Sequence, residues 1–271
     1  MSNGNNMFNM VQYSVWPTCC NSCQFCLRLN RDIWNSQQMI NRIKAIRENI
    51  NYVDWKDKFS NGISLLGGEL FYITNKEIQK EFLLLVDDII EKILKKSSNP
   101  LCRISVVTNG LYEPTFLFRV FDRVNETVGI QKADINFSYD LKYRFASEDK
   151  RQLCLQNINE VHDRYNYKVG VQTITTQYFI NEVLSGRFKI DEFERDIIPG
   201  NELHLLYPHP INPLLPPLPD FNFKRSSLIE FVKFLKSNHP VQWYNFYYST
   251  LNSGTFKFTG MIRVEGDETQ D

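Results

Sequence analysis

The sequence has no excess of charge of either sign and no long apolar run. Lys plus Arg and Asp plus Glu each number 31 in 271 residues, so the formal net charge at pH 7 is zero. This balance gives no global field that would attract duplex nucleic acid or an anionic membrane surface. No stretch approaches the roughly 20 apolar residues of a membrane span, and the polar start at residues 1–6 is unlike a signal peptide. We therefore expect a cytoplasmic protein without membrane contact.

Alanine is almost absent, occurring only at positions 45, 133 and 146, while Asn, Lys, Ile, Phe and Tyr are abundant. An AT-rich genome biases codon use in this direction, which indicates a phage or a low-GC bacterium as the source. This codon bias indicates the source of the protein and gives no information about its activity. The length fits one large domain with a sizeable core.

Cysteines are few but clustered. Of the six in the chain, Cys19, Cys20, Cys23 and Cys26 fall within eight residues. In a cytoplasmic protein such spacing indicates a metal or redox site rather than a disulfide framework. The remaining two, Cys102 and Cys154, stand alone in the sequence and are predicted to be buried small hydrophobes.

The cysteine spacing alone is compatible with several kinds of metal site. Cys19, Cys23 and Cys26 give Cys-x3-Cys-x2-Cys, whereas counting from Cys20 gives Cys-x2-Cys-x2-Cys, the start of a bacterial ferredoxin run. That run continues with a fourth cysteine, and none follows here before Cys102. A zinc site needs a fourth ligand and usually a second close pair, and the chain has only four histidines.

Short β-like runs alternate with helical periodicity along the chain. The sequence predicts strands at 8–16, 62–68, 103–109, 134–141, 168–175 and 201–208. It predicts helices at 35–49, 76–96, 114–123, 148–165, 177–184 and 228–236. Strands that are each followed by a helix imply an α/β fold with a parallel sheet. A partial (β/α)6 TIM-like barrel is the predicted architecture, and an open doubly wound sheet is the alternative.

Two helix starts carry capping-box patterns, at Thr74 with Glu77 and at Ser227 with Glu230. The segment 208–219 holds six of the eleven prolines, so it is predicted to be an extended connection. We expect a barrel domain at 1–240. The remainder, 241–271, is expected to be a short C-terminal extension that covers the barrel mouth and frays at its end.

Polar motifs fall at the predicted strand ends, where parallel α/β folds place their sites. Gly67-Gly68-Glu69 follows the second strand, Thr108-Asn109-Gly110 follows the third, and Asn136, Ser138 and Asp140 share one face of the fourth. A polar face in a parallel sheet is unusual, so this face is predicted to line a wet cavity. Instead of belonging to a site, the two glycines could form a tight turn, and Asp140 could cap a helix.

The cysteine spacing, with Phe25 directly before the last thiol, resembles the signature of radical S-adenosylmethionine (SAM) enzymes. Gly67-Gly68-Glu69 on the next strand is similar to the motif that holds the SAM amino group in that family. The resemblance covers roughly residues 8–240. Asp140-Leu141-Lys142 with Thr108-Asn109-Gly110 is also similar to glycyl-radical activating enzymes, although those carry Asp where this chain has Val107.

The resemblance implies a [4Fe–4S] cluster on Cys19, Cys23 and Cys26 that leaves one iron open to bind SAM. It implies roles in SAM binding for a set of residues along the strand ends: Phe25 near the adenine, Gly67, Gly68 and Glu69 at the amino group, and Thr108, Asn109, Ser138, Asp140 and Gln172. Electrons would come from a flavodoxin or a ferredoxin-type reductant. The radical would take hydrogen from a nucleotide or modified base, a peptide or a small metabolite, the first being slightly favoured. A non-catalytic iron–sulfur or zinc protein is the alternative.

Overall fold

The computed structural model describes residues 11–20, 33–52, 62–207, 220 and 222–252, and within them six strands alternate with helices. The strands overlap the six predicted segments: β1 (Val11–Ser14), β2 (Gly62–Leu66), β3 (Arg103–Thr108), β4 (Ala133–Tyr139), β5 (Gly170–Ile174) and β6 (Glu202–Leu206). The prediction of six strands is therefore confirmed.

Each of the six predicted helices is also present, and two helices were not predicted. The helices are α1 (Ser36–Tyr52), α2 (Lys76–Ile89), α3 (Thr115–Val128), α4 (Glu148–Tyr165), α5 (Gln177–Leu184), α6 (Ile190–Glu192), α7 (Arg225–Asn238) and α8 (Pro240–Asn252). α2 continues into a π-helical turn at Ile90–Leu94, and α6 into another at Phe193–Ile197. The unpredicted helices are α6 and α8.

The order of the strands in the sheet is β1-β2-β3-β4-β5-β6, the same as their order along the chain. The pairs β1–β2, β2–β3, β3–β4 and β5–β6 are parallel. A doubly wound sheet contains a point at which the strand order reverses, and this order has none. The predicted α/β fold of (β/α)6 type is confirmed, and the doubly wound alternative is wrong.

Contacts divide the chain into two compact units. Of the described residues, the first contains 11–20, 33–52, 62–137 and 149–169, and the second contains 138–148, 170–207, 220 and 222–252. In the second unit α8 packs against β6 and α7. The predicted connection at 208–219 and the residues after 252 lie outside the described residues, so the predicted barrel domain and mouth-covering extension stay predictions. Within the described part of the chain, no helix combines the length and apolar character that crossing a membrane requires.

In the first unit, the register of β1 to β4 separates a polar face of the sheet from an apolar one. Gln12 pairs with Ser64, and Ser64 pairs with Ser105. Ser105 pairs in turn with Asp134, and its hydroxyl donates to Asp134 Oδ2 at 2.8 Å. Gln12 is exposed and Asp134 is half-buried, so water reaches this row. On the opposite face, six apolar residues of β2 to β4 are fully buried: Ile63, Leu65, Ile104, Val106, Ile135 and Phe137.

An aromatic cluster fills the core behind the ends of β1 and β2. The Phe71 ring lies 6.2 Å from Phe121 and 6.1 Å from Phe116, measured between ring centroids. Phe82 lies 5.7 Å from both Phe116 and Trp16. Aromatic rings bury large areas and pair favourably at these separations and tilts. The packing of this cluster therefore stabilises the two segments that follow β1 and β2.

The predicted helix caps are wrong in both places. The N-cap of α2 is Asn75, whose side chain accepts from the backbone N–H groups of Glu77 and Ile78. α7 begins two residues before Ser227, and its N-cap Lys224 makes no side-chain cap bond. Thr and Asn are both favoured at the N-cap, Asn somewhat more. The capping-box spacing of Thr74 and Glu77 led the sequence prediction to the wrong one of these two neighbours.

A buried asparagine on α4 holds the turn that follows β3. Asn157 is 1% exposed, and its Nδ2 donates to the carbonyl oxygens of Gly110 at 2.9 Å and Tyr112 at 2.8 Å. Gly110 has a φ of 66°, which is why a glycine completes the Thr-Asn-Gly turn. The turn is therefore fixed from the helix side as well as by its own chain.

We expect Asn157→Leu to lower the free energy of unfolding by about 1–3 kcal/mol for each carbonyl left without its donor. The control is Gln156→Leu on the exposed face of α4, for which a change within about 0.5 kcal/mol is expected. Urea denaturation of both variants measures the difference. Equal stabilities would contradict the assigned role of Asn157.

Candidate functional site

The ends of β2 and β3 are joined by a buried carboxylate. Glu69 is 1% exposed, and its Oε1 accepts from the Thr108 hydroxyl at 2.7 Å and from Phe71 N–H at 3.2 Å. Its Oε2 accepts from the backbone N–H of Asn109 at 2.7 Å. Burial raises the pKa of the Glu69 carboxyl to about 7, although the three donors favour the ionised form. Glu69 therefore connects two strand ends that are far apart in sequence.

A second hydroxyl extends this network into the core. The Tyr112 hydroxyl lies 2.7 Å from Thr108 Oγ1. Because the single Thr108 proton is donated to Glu69, the tyrosine hydroxyl must be the donor in this pair. Burial raises the pKa of the Tyr112 phenol well above its ordinary value, so it remains neutral. The chain of donors runs from Tyr112 through Thr108 to the carboxylate.

The Gly-Gly-Glu segment is bonded to the residues that precede the cysteines. Gly68 N–H donates to Trp16 O at 2.7 Å, and Glu69 N–H donates to Thr18 O at 2.9 Å. The Trp16 indole N–H donates back to the Glu69 carbonyl at 3.1 Å. A Cβ on Gly68 would lie 2.0 Å from Thr18 O, so only glycine permits this approach. The motif after β2 and the start of the cysteine run are thus adjacent.

The first two cysteines differ in environment. Cys19 is exposed, whereas Cys20 is half-buried. Asn109 Nδ2 lies 3.4 Å from Cys20 Sγ and 3.7 Å from Cys19 Sγ. The hydrogen bond with Cys19, and then burial, raise the pKa of the Cys20 thiol above its ordinary value. The sequence could not distinguish these neighbours by environment, because both the exposure and the Asn109 contact arise from tertiary structure.

The chain just before the cysteine run is bonded to the chain that follows it. Trp34 N–H donates to Thr18 Oγ1 at 3.0 Å, so the chain on either side of residues 19–33 is tied together. Cys23, Phe25 and Cys26 lie outside the described residues. Among the residues that are described, no group of three His, Cys, Asp or Glu side chains could hold a metal ion. Cys19 is exposed beside the point where Thr18 and Trp34 meet, so it is accessible as one thiolate ligand of a cluster.

The predicted site residues of β4 and β5 are in the second unit. Asp140 is 3% exposed, and its Oδ1 accepts from the backbone N–H groups of Lys142 at 2.8 Å and Tyr143 at 2.5 Å. It therefore caps a loop and not a helix. Ser138 and Gln172 are half-buried in β4 and β5. The roles predicted for these three residues in binding SAM stay predictions.

A polar and aromatic cluster beyond β4 was not predicted. Lys142 Nζ lies 2.8 Å from Asp220 Oδ2, and the Tyr143 hydroxyl also bonds that carboxylate. The ammonium lies 5.0 Å from the centre of the Tyr143 ring and 4.8 Å from that of Tyr178. Nothing in the sequence relates Lys142 to Asp220, since the residues are 78 positions apart.

No protein-family model and no curated protein matches the chain. Among solved structures, native anSMEcpe with bound AdoMet (SAM) is similar, with 13% identity and a TM-score of 0.50. The match covers 90% of this chain, which spans 62% of that one. A match to GH26C from Muricauda sp. has 13% identity and a TM-score of 0.31, and covers 78% of this chain and 74% of that chain. The first likeness shows the fold alone, and it is the fold of a protein with bound AdoMet.

We expect Gly68→Ala to lower the free energy of unfolding by about 3 kcal/mol or more, because its new methyl group would overlap the backbone of Thr18. Gly67→Ala is the matched control. Its Cβ would meet the end of the Leu70 side chain at 2.6 Å, which can move, so a cost of about 1 kcal/mol is expected. Guanidinium denaturation distinguishes the two. Equal losses would contradict the close approach at Gly68.

The pH dependence of stability should reveal the buried Asp140. Burial raises the pKa of its carboxyl from 3.8 to about 6, so the folded state binds more protons than the unfolded state between these values. Stability contributed by this group is therefore lost as pH rises from about 4 to 6, by up to about 3 kcal/mol. Asp140→Asn keeps an oxygen for Lys142 and Tyr143 but cannot ionise.

We accordingly expect Asp140→Asn to be more stable than the wild type at pH 7, with a difference that shrinks towards pH 4. Urea unfolding from pH 4 to 8 measures this difference. Asp149→Asn, which removes an exposed carboxylate nine positions later in the sequence, is the control. A difference that does not vary with pH would show that the Asp140 carboxyl is not the cause.

Proposed function

We propose that the chain is a radical SAM enzyme, with a [4Fe–4S] cluster on Cys19, Cys23 and Cys26 and SAM bound at the open iron. One observation supports the proposal in addition to the cysteine spacing. The Gly-Gly-Glu segment is bonded to the residues just before Cys19, through Gly68 N–H to Trp16 O at 2.7 Å and Glu69 N–H to Thr18 O at 2.9 Å.

This adjacency is what the proposed chemistry needs. SAM chelated through its amino and carboxylate groups requires a recognition element for those groups beside the cysteine loop. The backbone of Gly67–Glu69 would hold the amino group. The buried Glu69 carboxylate, already bonded to Thr108, Phe71 and Asn109, would keep that backbone in place. Phe25 would contact the adenine.

The remaining proposed SAM contacts lie along the strand ends. Ser138 and Asp140 would hold the ribose or carboxylate, and Gln172 on β5 would reach the adenosine. When bound and reduced, the cluster would supply one electron, which breaks the sulfur–C5′ bond of SAM and gives methionine and a 5′-deoxyadenosyl radical. A flavodoxin or ferredoxin-type protein would deliver that electron. The substrate that loses hydrogen is proposed to be a nucleotide or modified base ahead of a peptide or small metabolite.

The different environments of the two neighbouring thiols support Cys19 as the first ligand. Cys19 is exposed, and Cys20 is half-buried with its sulfur 3.4 Å from Asn109 Nδ2. The Cys-x3-Cys-x2-Cys reading therefore uses the more exposed of the two cysteines.

We expect protein reconstituted anaerobically with iron and sulfide to release 5′-deoxyadenosine from SAM when dithionite is added. Cys19→Ala, Cys23→Ala and Cys26→Ala should each reduce the product at least about 100-fold, since each removes a cluster ligand. Cys20→Ala is the matched control and should retain cluster and product. Iron content, EPR spectra and chromatography of the nucleoside are the measurements.

Two outcomes would count against the proposal. An intact cluster that never cleaves SAM would favour an electron-transfer protein. Bound zinc with a featureless visible spectrum would favour a structural site. Loss of the cluster in Cys20→Ala but not in Cys19→Ala would contradict only the choice of Cys19 as the first ligand.

A further inference from the structure

We infer that Asn109 is a positioning residue for Cys19, and that its side-chain amide tunes the reduction potential of the cluster through hydrogen bonding to thiol sulfur. The inference rests on the proposed function, because it concerns the first ligand of the proposed cluster. It assigns to Asn109 a role other than contact with SAM.

The orientation of the Asn109 amide follows from its partners. Its Oδ1 accepts from Leu111 N–H at 2.9 Å, and its own backbone N–H donates to Glu69 Oε2 at 2.7 Å. The residue is 5% exposed, so these bonds are screened little by water. The Cys20 thiol also lies within reach of this oxygen, 3.9 Å from Oδ1. The Leu111 bond is much shorter, and an amide that keeps it places Nδ2 towards the sulfurs.

The two hydrogens of Nδ2 face two sulfur atoms. Cys20 Sγ lies at 3.4 Å and Cys19 Sγ at 3.7 Å, both within the range of N–H···S bonds. A carboxamide carries two N–H donors, which matches the two neighbouring thiols. Cys20 is thereby held in its half-buried position while Cys19 stays exposed.

An N–H bond to a ligating sulfur has an electronic consequence. Hydrogen bonds to the sulfurs are among the factors that set the potentials of iron–sulfur clusters, and such outer contacts also orient the ligands. The bond withdraws negative charge from sulfur, so it stabilises the reduced state. Removing the Asn109 donor should therefore make the cluster harder to reduce.

The test compares the midpoint potential of the reconstituted wild type with those of Asn109→Asp and Asn109→Ala, by redox titration followed by EPR. Asn109→Asp keeps an acceptor for Leu111 and removes both donors. Asn109→Ala removes the acceptor too. The control is Tyr112→Phe, which deletes a hydrogen bond of the same turn, 2.7 Å from Thr108 Oγ1, without touching the sulfurs. Circular dichroism establishes that each variant folds.

We expect both Asn109 variants to shift the potential to more negative values, while Tyr112→Phe matches the wild type. A folded Asn109→Asp variant that takes up less iron than Tyr112→Phe would also support the inference. If all the loaded proteins share one potential, the inference is overturned while the proposed function stands. If the wild type itself takes up no cluster, the proposed function fails and the inference falls with it. Asn109→Asp also places a negative charge beside the sulfurs, which by itself makes the cluster harder to reduce, so Asn109→Ala, which adds no charge, isolates the effect of the lost donors. Should Asn109→Ala not fold, an Asn109→Asp potential equal to or above that of the wild type overturns the inference.

Discussion

The buried carboxylate of Glu69 is the interaction on which the arrangement of the strand ends depends. An ionised carboxylate without partners is very costly inside a protein, so its place is set by its donors. Those donors are the Thr108 hydroxyl and the backbone N–H groups of Asn109 and Phe71. Because these donors come from the last residue of β3 and from the segments that follow β2 and β3, any shift of one strand end against the other would leave a carboxylate oxygen without its donor. The carboxylate thus fixes a junction that lies outside the regular sheet.

The same junction extends to the cysteine run through the backbone. Glu69 N–H donates to Thr18 O, and the absence of a side chain on Gly68 lets the two segments approach. Parallel strands bring their carboxyl ends to one edge of the sheet, but that alone does not set their loops in register. Here the register comes from one carboxylate, one glycine and one indole, that of Trp16, which donates to the Glu69 carbonyl. The bond between Trp16 and Glu69 alone links residues that are 53 positions apart in the sequence.

The sequence predicted the six strands and six of the helices, because apolar runs and helical periodicity reflect burial directly. It failed where the choice was between residues of similar preference, as with Asn75 in place of Thr74 at the start of α2. It also missed α8, whose aromatic residues resemble a strand, although Pro240 at its first position is a recognised start signal. The strand-end motifs were located correctly in the chain. The partners of Glu69 could not be inferred, since side-chain direction after a strand end depends on the tertiary turn.

Fold similarity does not decide function here, because a likeness at 13% identity is compatible with many activities. Function depends on the chemistry of the site, where Asn109 is informative. Its backbone N–H donates to Glu69, and its side-chain oxygen accepts a short bond from Leu111 N–H, which sets the orientation of the amide group. This orientation places Nδ2 towards the sulfurs of Cys19 and Cys20. A carboxylate that stabilises the fold therefore also orients the donor that faces the proposed ligand, and the electronic properties of such a ligand would follow from the packing of β2 against β3.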